Sequence, residues 1–414
     1  MQKLAGDLSI LERQISGRKR SKVGIFVTHP VQYHVCLWRG LAADPAFDVK
    51  VYFFSEQGVS DAVDPGFGRP VTWDVPLLEG YESTFLARES ISRVDRCSIE
   101  NIDAFLAEQQ FDLVFLHGYT HRYARQLIRR RKRFRYNIVL RGEFTNMPLP
   151  GRRWWKDLLK QQYLKWFYGR VDHFCPIGLD GVDHLRSRGI SDDRMTITPY
   201  SIDSSLIEQQ RKEFARDQAR SSLGLSDDQV MFVFSGKLIP RKQPLLLAEA
   251  AKRFADDSRF VLCYLGSGEL AADVESALRP SLGERLIMPG FVNQSELGKY
   301  FSAADVFVLP TSYDTWGLVV NEAMQWGLPC IVSNRTGCRR DLVLEGETGY
   351  IHQWDDVSDL AERMKLFMEN KELSAELGLQ AEKHIVGYNS SVTVDCLKRA
   401  MFDALDQAVD LPAN

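Results

Sequence analysis

Residues 305–350 constrain the fold more than any other part of the chain, because apolar runs and a helical pattern alternate there within a short span. The apolar run 306–309 is followed by a second one at 328–333. Between the runs, apolar side chains recur at helical spacing, which predicts a helix from Thr315 that ends at Gly327. A strand, a helix and a strand in succession form a parallel crossover unit, which binds ligands at the carboxyl ends of its strands. We therefore expect an α/β protein with a ligand site near the start of this helix.

Two carboxylates mark the predicted helix, because Asp314 precedes its first turn and Glu322 follows eight residues later. At ~1.5 Å of rise per residue, about 12 Å separate them along the helix axis. The first four backbone amides after Asp314 are those of Thr315, Trp316, Gly317 and Leu318. Free backbone amides at the start of a helix favour the binding of an anion. The segment therefore predicts adjacent binding sites for a sugar, a diphosphate and a ribose, with the amides between the two carboxylates. In the alternative interpretation, Asp314 is only a helix N-cap and Glu322 is a solvated helix residue.

The run 310–350 closely resembles the nucleotide-sugar site of the retaining family 4 glycosyltransferases, which have the GT-B fold. Their signature is Glu-x7-Glu, and this chain has Asp314-x7-Glu322. The resemblance is strong over residues 230–355 and weaker over the first 200. It implies an α/β protein with two Rossmann-like doubly wound domains that face each other across a cleft, and a C-terminal helix that crosses back to the first domain. The implied divisions are an N-terminal tail or helix at 1–21, an acceptor domain at 22–203, a nucleotide-sugar domain at 204–388 and the returning helix at 389–414.

The second domain carries the donor-binding residues that the resemblance implies. Lys237 and Lys242 match two cations that relatives place five residues apart against the donor diphosphate, and Arg241 is an extra cation. Lysine keeps the charge of the arginine found in relatives but loses its bidentate fork. In the alternative interpretation, both lysines are exposed loop residues. We expect Glu322 to hydrogen-bond the ribose hydroxyls and Asp314 to hydrogen-bond the donor sugar. The full expected donor set is Gly236, Lys237, Arg241, Lys242, Gly266, Phe291, Val292, Asp314, Thr315, Trp316, Gly317, Leu318 and Glu322.

Polar side chains at the ends of first-domain strands are expected on the acceptor side of the cleft. His29, Gln32 and Tyr33 stand where many relatives have a Gly-rich loop whose backbone approaches the donor phosphate or the acceptor. In this chain we expect contacts from these side chains to replace that backbone contact. Arg141 and Glu143 follow a later strand and belong to the same expected set. The alternative for a histidine in such a place is a hydrogen-bonded core or helix-capping residue.

His117, at the carboxyl end of the predicted strand 111–116, matches a histidine that relatives place near the donor sugar. The expected catalytic set is His117, Asp314, Lys237 and Lys242. No Asp-x-Asp motif is visible in the sequence, so we expect neither a metal nor a cofactor, and a nucleotide-diphosphate sugar as co-substrate.

The resemblance implies a hexosyltransferase that retains anomeric configuration and uses a hydroxyl acceptor. The acceptor is a glycan, a lipid-linked glycan or a small molecule, and assembly of cell-surface polysaccharide or glycoconjugate is the expected setting. One alternative is a sugar-nucleotide epimerase of the same fold. A less favoured alternative is a non-catalytic protein that binds nucleic acid or a membrane.

A basic and aromatic stretch at 152–170 is the clearest local departure from the average composition. Between positions 121 and 172 there are fifteen lysines and arginines against three acidic residues. A helix of this kind suits an anionic membrane surface. It equally suits an ordinary amphipathic helix whose aromatic side chains pack inward. Nucleic acid is the least favoured partner, and we expect none.

The composition is that of a globular protein large enough for two α/β domains. The chain has 414 residues, of which 44% are hydrophobic and 26% charged, and its net charge of −3 indicates no overall attraction to nucleic acid. Seven scattered cysteines without a CxxC pair indicate a reduced compartment and no zinc or disulfide framework. The charged N-terminus does not resemble a signal peptide, and no run of ~18 apolar residues could span a membrane. We expect a cytoplasmic protein, and the membrane interpretation of the stretch 152–170 would add peripheral attachment to the inner face of the membrane.

Overall fold

The computed structural model describes residues 20–59, 63–64, 69–70, 76–89, 91–147 and 154–407. The predicted N-terminal tail 1–21 therefore lies outside the described residues apart from its last two positions. Residues 152–153 of the basic stretch and the end of the predicted returning segment, from 408 onward, also lie outside them. Within the described residues, the chain forms two parallel sheets that are covered by helices.

The first sheet has six parallel strands in the order β5-β2-β1-β6-β7-β8. These strands are β1 (Ser21–Phe26), β2 (Phe47–Phe53), β5 (Glu82–Phe85), β6 (Leu113–His117), β7 (Asn137–Gly142) and β8 (His173–Pro176), and a small hairpin is formed by β3 (Val63–Asp64) and β4 (Arg69–Pro70). The helices are α1 (Gln32–Ala42), α2 (Ile102–Gln109), α3 (Arg122–Phe134), α4 (Trp154–Tyr168) and α5 (Leu179–Arg186). The central strands are nearly continuous apolar runs because helices cover both faces of a parallel sheet.

The second sheet repeats this architecture in the order β11-β10-β9-β12-β13-β14, again fully parallel. Its strands are β9 (Val230–Ser235), β10 (Phe260–Leu265), β11 (Leu286–Gly290), β12 (Val306–Leu309), β13 (Cys330–Ser333) and β14 (Gly349–His352). Its helices are α6 (Ser204–Glu213), α7 (Arg216–Ser222), α8 (Pro244–Ala251), α9 (Ala271–Leu282), α10 (Leu297–Ala303), α11 (Leu318–Gln325), α12 (Arg339–Leu342), α13 (Val357–Glu369) and α14 (Glu372–Ile385). The crossover predicted from residues 305–350 is present as β12, α11 and β13.

The last helix, α15 (Ser390–Asp406), packs on the first sheet although it follows the second in the chain. Its apolar face buries Leu397 and Met401 in the same cluster as Val23 and Trp38 of the first domain. The Asn137 side chain of β7 also donates to backbone carbonyls at the end of this helix, including that of Gln407 at 2.9 Å. The C-terminal helix therefore crosses back to the first domain.

A polar contact joins the two domains on the side where α5 meets α12. The backbone amide of Leu179 donates to both carboxylate oxygens of Asp341, at 3.1 and 3.3 Å. Two arginines of α12 flank this carboxylate, and Arg339 pairs with Asp180 at 2.7 Å. Because Asp341 is buried, its pKa is raised to about 6. The domain contact thus contains a carboxyl group whose charge changes near neutral pH.

Replacing Asp341 with asparagine should remove one pH-dependent contribution to stability. The folded protein takes up a proton at Asp341 near pH 6, whereas an unfolded chain does so near pH 3.9. Between pH 7 and pH 5, acidification should therefore raise the free energy of unfolding of the wild type by about 1 kcal/mol relative to Asp341→Asn. Urea unfolding of both proteins at the two pH values measures this difference, and an identical pH dependence would contradict it.

Candidate functional site

A cavity of about 350 Å³ lies between the domains, at the carboxyl ends of both sets of strands. The first domain contributes Tyr33, Glu143 and Tyr200 to its wall. The second domain contributes Ser235, Gly236, Lys237, Arg241, Lys242, Leu265, Gly266, Phe291, Val292, Gln294, Leu297, Asp314, Thr315, Trp316, Gly317, Leu318, Val319 and Glu322. Every residue of the expected donor set therefore lines one cavity, although their contact with a donor stays a prediction.

The loops after β9 and β10 touch each other through glycine backbones at the floor of this cavity. Gly236 and Gly266 both have φ of 151°, a region that side chains rarely adopt. A Cβ atom on Gly266 would lie 1.9 Å from the carbonyl oxygen of Gly236. Only glycine fits at Gly266, and the close approach of the loops places Lys237 on the cavity wall.

Asp314 is held by cations of the neighbouring loop. Its carboxylate is only 9% exposed and pairs with the Lys242 ammonium, while the Arg241 guanidinium lies 3.8 Å away. Burial raises the pKa of Asp314, but the charges of Lys242 and Arg241 and the hydrogen bonds from Lys242 and the Trp316 amide together more than offset this, so the pKa lies below its usual value. Asp314 is therefore ionised, and Lys242 stands where it can exchange this carboxylate for an anionic ligand.

The predicted start of the helix at Thr315 is wrong, because α11 begins at Leu318. Residues 314–316 first pair with the segment after β13: the Gly337 amide donates to the Asp314 carbonyl at 2.9 Å. The Trp316 amide is used internally, since it donates to the Asp314 carboxylate at 3.3 Å. The four amides consequently do not form one helical turn. The amides at the helix N-terminus that are available to an anion are instead the first ones of α11, beginning with Leu318, which lines the cavity.

Glu322 lies on α11 and is 6% exposed. Its Oε1 accepts a hydrogen bond from the Tyr33 hydroxyl at 2.9 Å and another from Gln294 Nε2 at 3.1 Å. Burial raises the pKa of Glu322, and these two hydrogen bonds lower it by less, so the net shift is upward. The alternative interpretation as a solvated residue is wrong. The N-cap alternative for Asp314 is also wrong, because Gly317 holds that position.

The predicted first-domain residues divide into two groups. Tyr33 and Glu143 line the cavity, whereas His29 bonds to the Thr28 hydroxyl at 2.8 Å and is not among the lining residues. Gln32 lines an adjoining cavity of about 230 Å³ that shares Tyr33 and Glu322 with the first.

Arg141 is buried and is not among the residues that line the cavity, and its predicted acceptor contact stays a prediction. Its side chain is 0% exposed and donates to the Thr198 carbonyl at 3.1 Å and to the Pro199 carbonyl at 3.3 Å. The guanidinium also lies 4.9 Å from the centre of the Tyr200 ring. Arg141 thus shapes the chain that carries Tyr200 to the cavity. The sequence could not reveal this, because a strand-end arginine is compatible with either position.

His117 is not among the residues that line the cavity. Its ring centre is 4.6 Å from that of His34, and burial, followed by the charge of Arg141, lowers its pKa to about 3. Its buried Nε2 has no hydrogen-bond partner within the described part of the chain. The imidazole is therefore neutral at physiological pH, and its predicted catalytic role stays a prediction.

Three polar residues of the site were missed in the sequence. Tyr200 donates to Glu143 at 2.9 Å, and Asn321 links the domains by accepting from Trp316 Nε1 at 2.8 Å and donating to the Tyr200 carbonyl at 3.1 Å. Gln294 supplies the second hydrogen bond to Glu322. Gln294 follows Val292 of the expected donor set by two positions, and this is the one local signal that the sequence gives for any of the three residues.

The basic and aromatic stretch forms α4, whose described aromatic side chains pack largely inward. Phe167 and Tyr168 are buried in the first-domain core. The Trp166 ring lies against two guanidinium groups, those of Arg129 at 5.5 Å and Arg170 at 5.0 Å. Leu159 is 63% exposed. The described side chains favour plain packing, and contact with an anionic membrane stays a prediction.

Among the described residues, no helix has the length and apolar character needed to cross a membrane. The same residues contain no group of three or more histidine, cysteine, aspartate or glutamate side chains suited to a metal ion.

Comparison with known proteins gives a family match over the second domain. Residues 215–384 match the family model described as glycosyl transferases group 1. The chain is 32% identical over 194 residues to a UDP-Gal:alpha-D-GlcNAc-diphosphoundecaprenol alpha-1,3-galactosyltransferase of Escherichia coli, covering 45% of this chain and 49% of that protein. The chain thus spans about half the length of the curated relatives it matches.

Solved structures match over nearly the whole chain at low sequence identity. A sucrose-phosphate synthase from Thermosynechococcus elongatus has a TM-score of 0.66 at 19% identity, covering 93% of this chain and 100% of that one. Anabaena HepE in complex with UDP has a TM-score of 0.68 at 14% identity, covering 92% and 99%. Together with the two parallel six-stranded sheets, these likenesses confirm the predicted GT-B fold with two Rossmann-like domains. The domain boundaries implied by the sequence stay predictions.

Proposed function

We propose that this protein is a retaining, metal-independent glycosyltransferase of family 4. It transfers a hexose from a nucleotide-diphosphate sugar to the hydroxyl of a glycan, lipid-linked or small-molecule acceptor. The family match over residues 215–384 supports transferase activity, and the E. coli relative is named for a lipid-linked sugar substrate. Assembly of cell-surface polysaccharide or glycoconjugate is the setting that this acceptor class favours.

The observation that carries the proposal is the order of charged groups in the interdomain cavity. Lys237, Arg241 and Lys242 lie together on one loop, and two buried carboxylates lie on either side of the start of α11. The carboxylates differ in environment, since cations lower the pKa of Asp314 while burial raises that of Glu322. A group of cations between two carboxylates, each able to accept hydrogen bonds from hydroxyl groups, is complementary to a diphosphate that lies between a sugar and a ribose.

The chemistry follows from where negative charge develops. As the bond between the sugar and the diphosphate breaks, charge grows on the leaving phosphate, and Lys237, Lys242 and the Leu318 amide stabilise it. Cationic side chains do this without a metal. Glu143 stands on the opposite lip of the cleft, bonded to the Tyr200 hydroxyl at 2.9 Å, and orients the acceptor. Closure of the domains excludes water, which would otherwise hydrolyse the donor.

Thermal unfolding with a panel of UDP-, GDP-, dTDP- and ADP-sugars tests the donor site. A ligand present at about 100 times its dissociation constant should stabilise the folded protein by about 2.7 kcal/mol. We expect one nucleotide class to raise the unfolding midpoint of the wild type. The increase should be much smaller in Glu322→Ala, because this variant lacks the carboxylate that binds the ribose hydroxyls.

The control is Glu369→Ala, which removes a surface carboxylate of α13 that is 63% exposed and, among the described residues, forms an ion pair with Lys365 of its own helix. This variant should respond to the nucleotide as the wild type does. A flat response of the folded wild type to the whole panel would remove the basis of the proposal. Consumption of the donor in the absence of any acceptor, without release of free sugar, would instead favour the epimerase alternative.

A further inference from the structure

Two cations of the loop after β9 converge on the same oxygen of the Asp314 carboxylate. Lys242 pairs with Oδ2 at close range, and Nη1 of Arg241 lies 3.8 Å from the same oxygen. The other oxygen, Oδ1, accepts from the Trp316 amide at 3.3 Å. The Lys242 side chain is only 13% exposed, whereas that of Arg241 is 46% exposed. Asp314 thus has one cation in contact and a second, more exposed one within about 1 Å of hydrogen-bond contact.

Backbone and side-chain bonds hold Arg241 beside the segment that leads to Asp314. The Arg241 carbonyl accepts from the Thr311 hydroxyl and from the Ser312 amide, both at 2.9 Å. Its guanidinium donates through Nη1 to the Tyr313 carbonyl at 2.8 Å. A guanidinium has five N–H donors, and this bond uses one of them. Arg241 can therefore bond to the Asp314 carboxylate while it keeps its bond to the Tyr313 carbonyl.

The proposed function gives Lys242 two anionic partners. Lys242 pairs with Asp314 in the structure, and the donor diphosphate draws its ammonium once the donor binds. Asp314 is only 9% exposed, and a buried carboxylate that loses its cation binds a proton more readily. Only the ionised carboxylate presents both of its oxygens as acceptors to the hydroxyls of a sugar. The site therefore needs a second cation for Asp314 when the diphosphate occupies Lys242.

We infer that Arg241 is this second cation: when the donor diphosphate draws Lys242 away, the Arg241 guanidinium moves about 1 Å onto Asp314 Oδ2 and keeps the carboxylate ionised for the donor sugar. The inference rests on the proposed function, and it makes Arg241 a positioning residue that acts through Asp314. The sequence-based expectation is different, since it places Arg241 in contact with the donor itself.

The other titratable side chains that sense the charge of Asp314 cannot take over this role. These side chains are Tyr200, Tyr313 and Cys338. Burial raises the pKa of each most strongly, and the charge of Asp314 adds to this rise, so all three stay neutral near pH 7. Within the described residues, Lys242 and Arg241 are the two cations that form ion pairs with Asp314.

Calorimetric titration with UDP, GDP and ADP in buffers of different ionisation enthalpy tests the inference, because it measures the protons taken up on binding. The nucleotide that binds should draw Lys242 from Asp314 in the wild type and in Arg241→Gln alike. In the variant, no guanidinium replaces the ammonium, so burial raises the pKa of Asp314 in the complex. At pH 6 we therefore expect Arg241→Gln to take up about 0.5 to 1 proton more per nucleotide bound than the wild type.

Two further variants assign the proton. Arg241→Lys restores a cation at this position and should return the uptake toward that of the wild type. When Arg241→Gln is combined with Asp314→Asn, the extra uptake should disappear, because an asparagine side chain has no carboxyl group to titrate. The matched control is Arg253→Gln, which removes a guanidinium that donates to the Ser358 hydroxyl at 2.7 Å and is not among the residues that line the cavity. It should show wild-type proton uptake.

The outcomes separate the inference from the proposed function. If Arg241→Gln binds the nucleotide with wild-type proton uptake, the inference is wrong while the proposed function stands, and weaker binding in that case would assign Arg241 to the diphosphate itself. Extra uptake that persists in the double variant would also overturn the inference, because another group then binds the proton. If the folded wild type binds none of the three nucleotides, the proposed function fails and the inference fails with it.

Discussion

Replacing Lys242 with alanine should lower kcat for sugar transfer by about 10²–10³-fold, the loss that follows removal of one preorganised group from a developing negative charge. Lys242 is the cation that pairs with Asp314 in the cavity, and its side chain is only 13% exposed. Its charge is therefore little screened by water. A diphosphate that enters the cavity displaces Asp314 from this ammonium or shares it. Steady-state kinetics with the nucleotide sugar that stabilises the wild type measures the effect.

Two further variants separate the charge from the fold. Lys242→Arg keeps the positive charge and should retain most of the activity lost in Lys242→Ala. Lys252→Ala removes an exposed lysine that pairs with Glu249 at 2.6 Å, and a surface pair of this kind contributes little. It should have wild-type kcat. A kcat for Lys242→Ala close to that of Lys252→Ala would exclude Lys242 from the stabilisation of the leaving group.

The second-domain half of the site was predictable because its residues lie close together in the sequence. The loop that holds Lys237 and Lys242 follows β9 directly, and the crossover of β12, α11 and β13 places Glu322 at a fixed distance from Asp314. Apolar runs and helical spacing suffice to place such residues at strand ends. The arrangement in two Rossmann-like domains and the return of the last helix to the first domain were instead implied by the family resemblance.

The long-range contacts of the site could not be predicted from these patterns. The bond between Tyr33 and Glu322 and the pairing of Lys242 with Asp314 join residues that are 289 and 72 positions apart. A single sequence carries no local signal for such a pairing. Tertiary structure also overrode the predicted helix start, because pairing of Asp314 with the segment after β13 delays α11 until Leu318.

The buried first-domain residues show a different limit. Arg141 and His117 both stand at the ends of parallel strands, where the sequence predicts contact with a ligand. The structure buries Arg141 under the segment that carries Tyr200. Whether a strand-end side chain faces the cleft or the interior depends on the loop that packs over it. A motif can therefore name the correct end of the sheet without showing which of its side chains reach the cavity.

Acidification from pH 7 to pH 5 should lower the free energy of unfolding through several buried histidines. Burial lowers the pKa of His173 and of His184 to about 4 each, whereas an unfolded chain binds the proton near pH 6.5. The unfolded state therefore takes up protons first as the pH falls, so stability is present above pH 6.5 and is lost toward pH 4. Each group should account for about 2 kcal/mol between pH 7 and pH 5. This is opposite in sign to the effect of Asp341.

The variant His184→Gln isolates one of these contributions. His184 is 0% exposed, and its two ring nitrogens bond to the Tyr168 hydroxyl at 3.1 Å and to the Thr145 carbonyl at 2.8 Å. Glutamine does not titrate in this range, so the loss of stability between pH 7 and pH 5 should be about 2 kcal/mol smaller than in the wild type. His173→Gln should reduce the loss independently, and the double variant should reduce it by the sum. Urea unfolding at the two pH values gives the change in the free energy of unfolding with pH for each protein. This change reports the titration of the histidine, whereas a destabilisation that is equal at both pH values does not affect it. If all four proteins lose the same stability on acidification, these histidines do not control the response to acid.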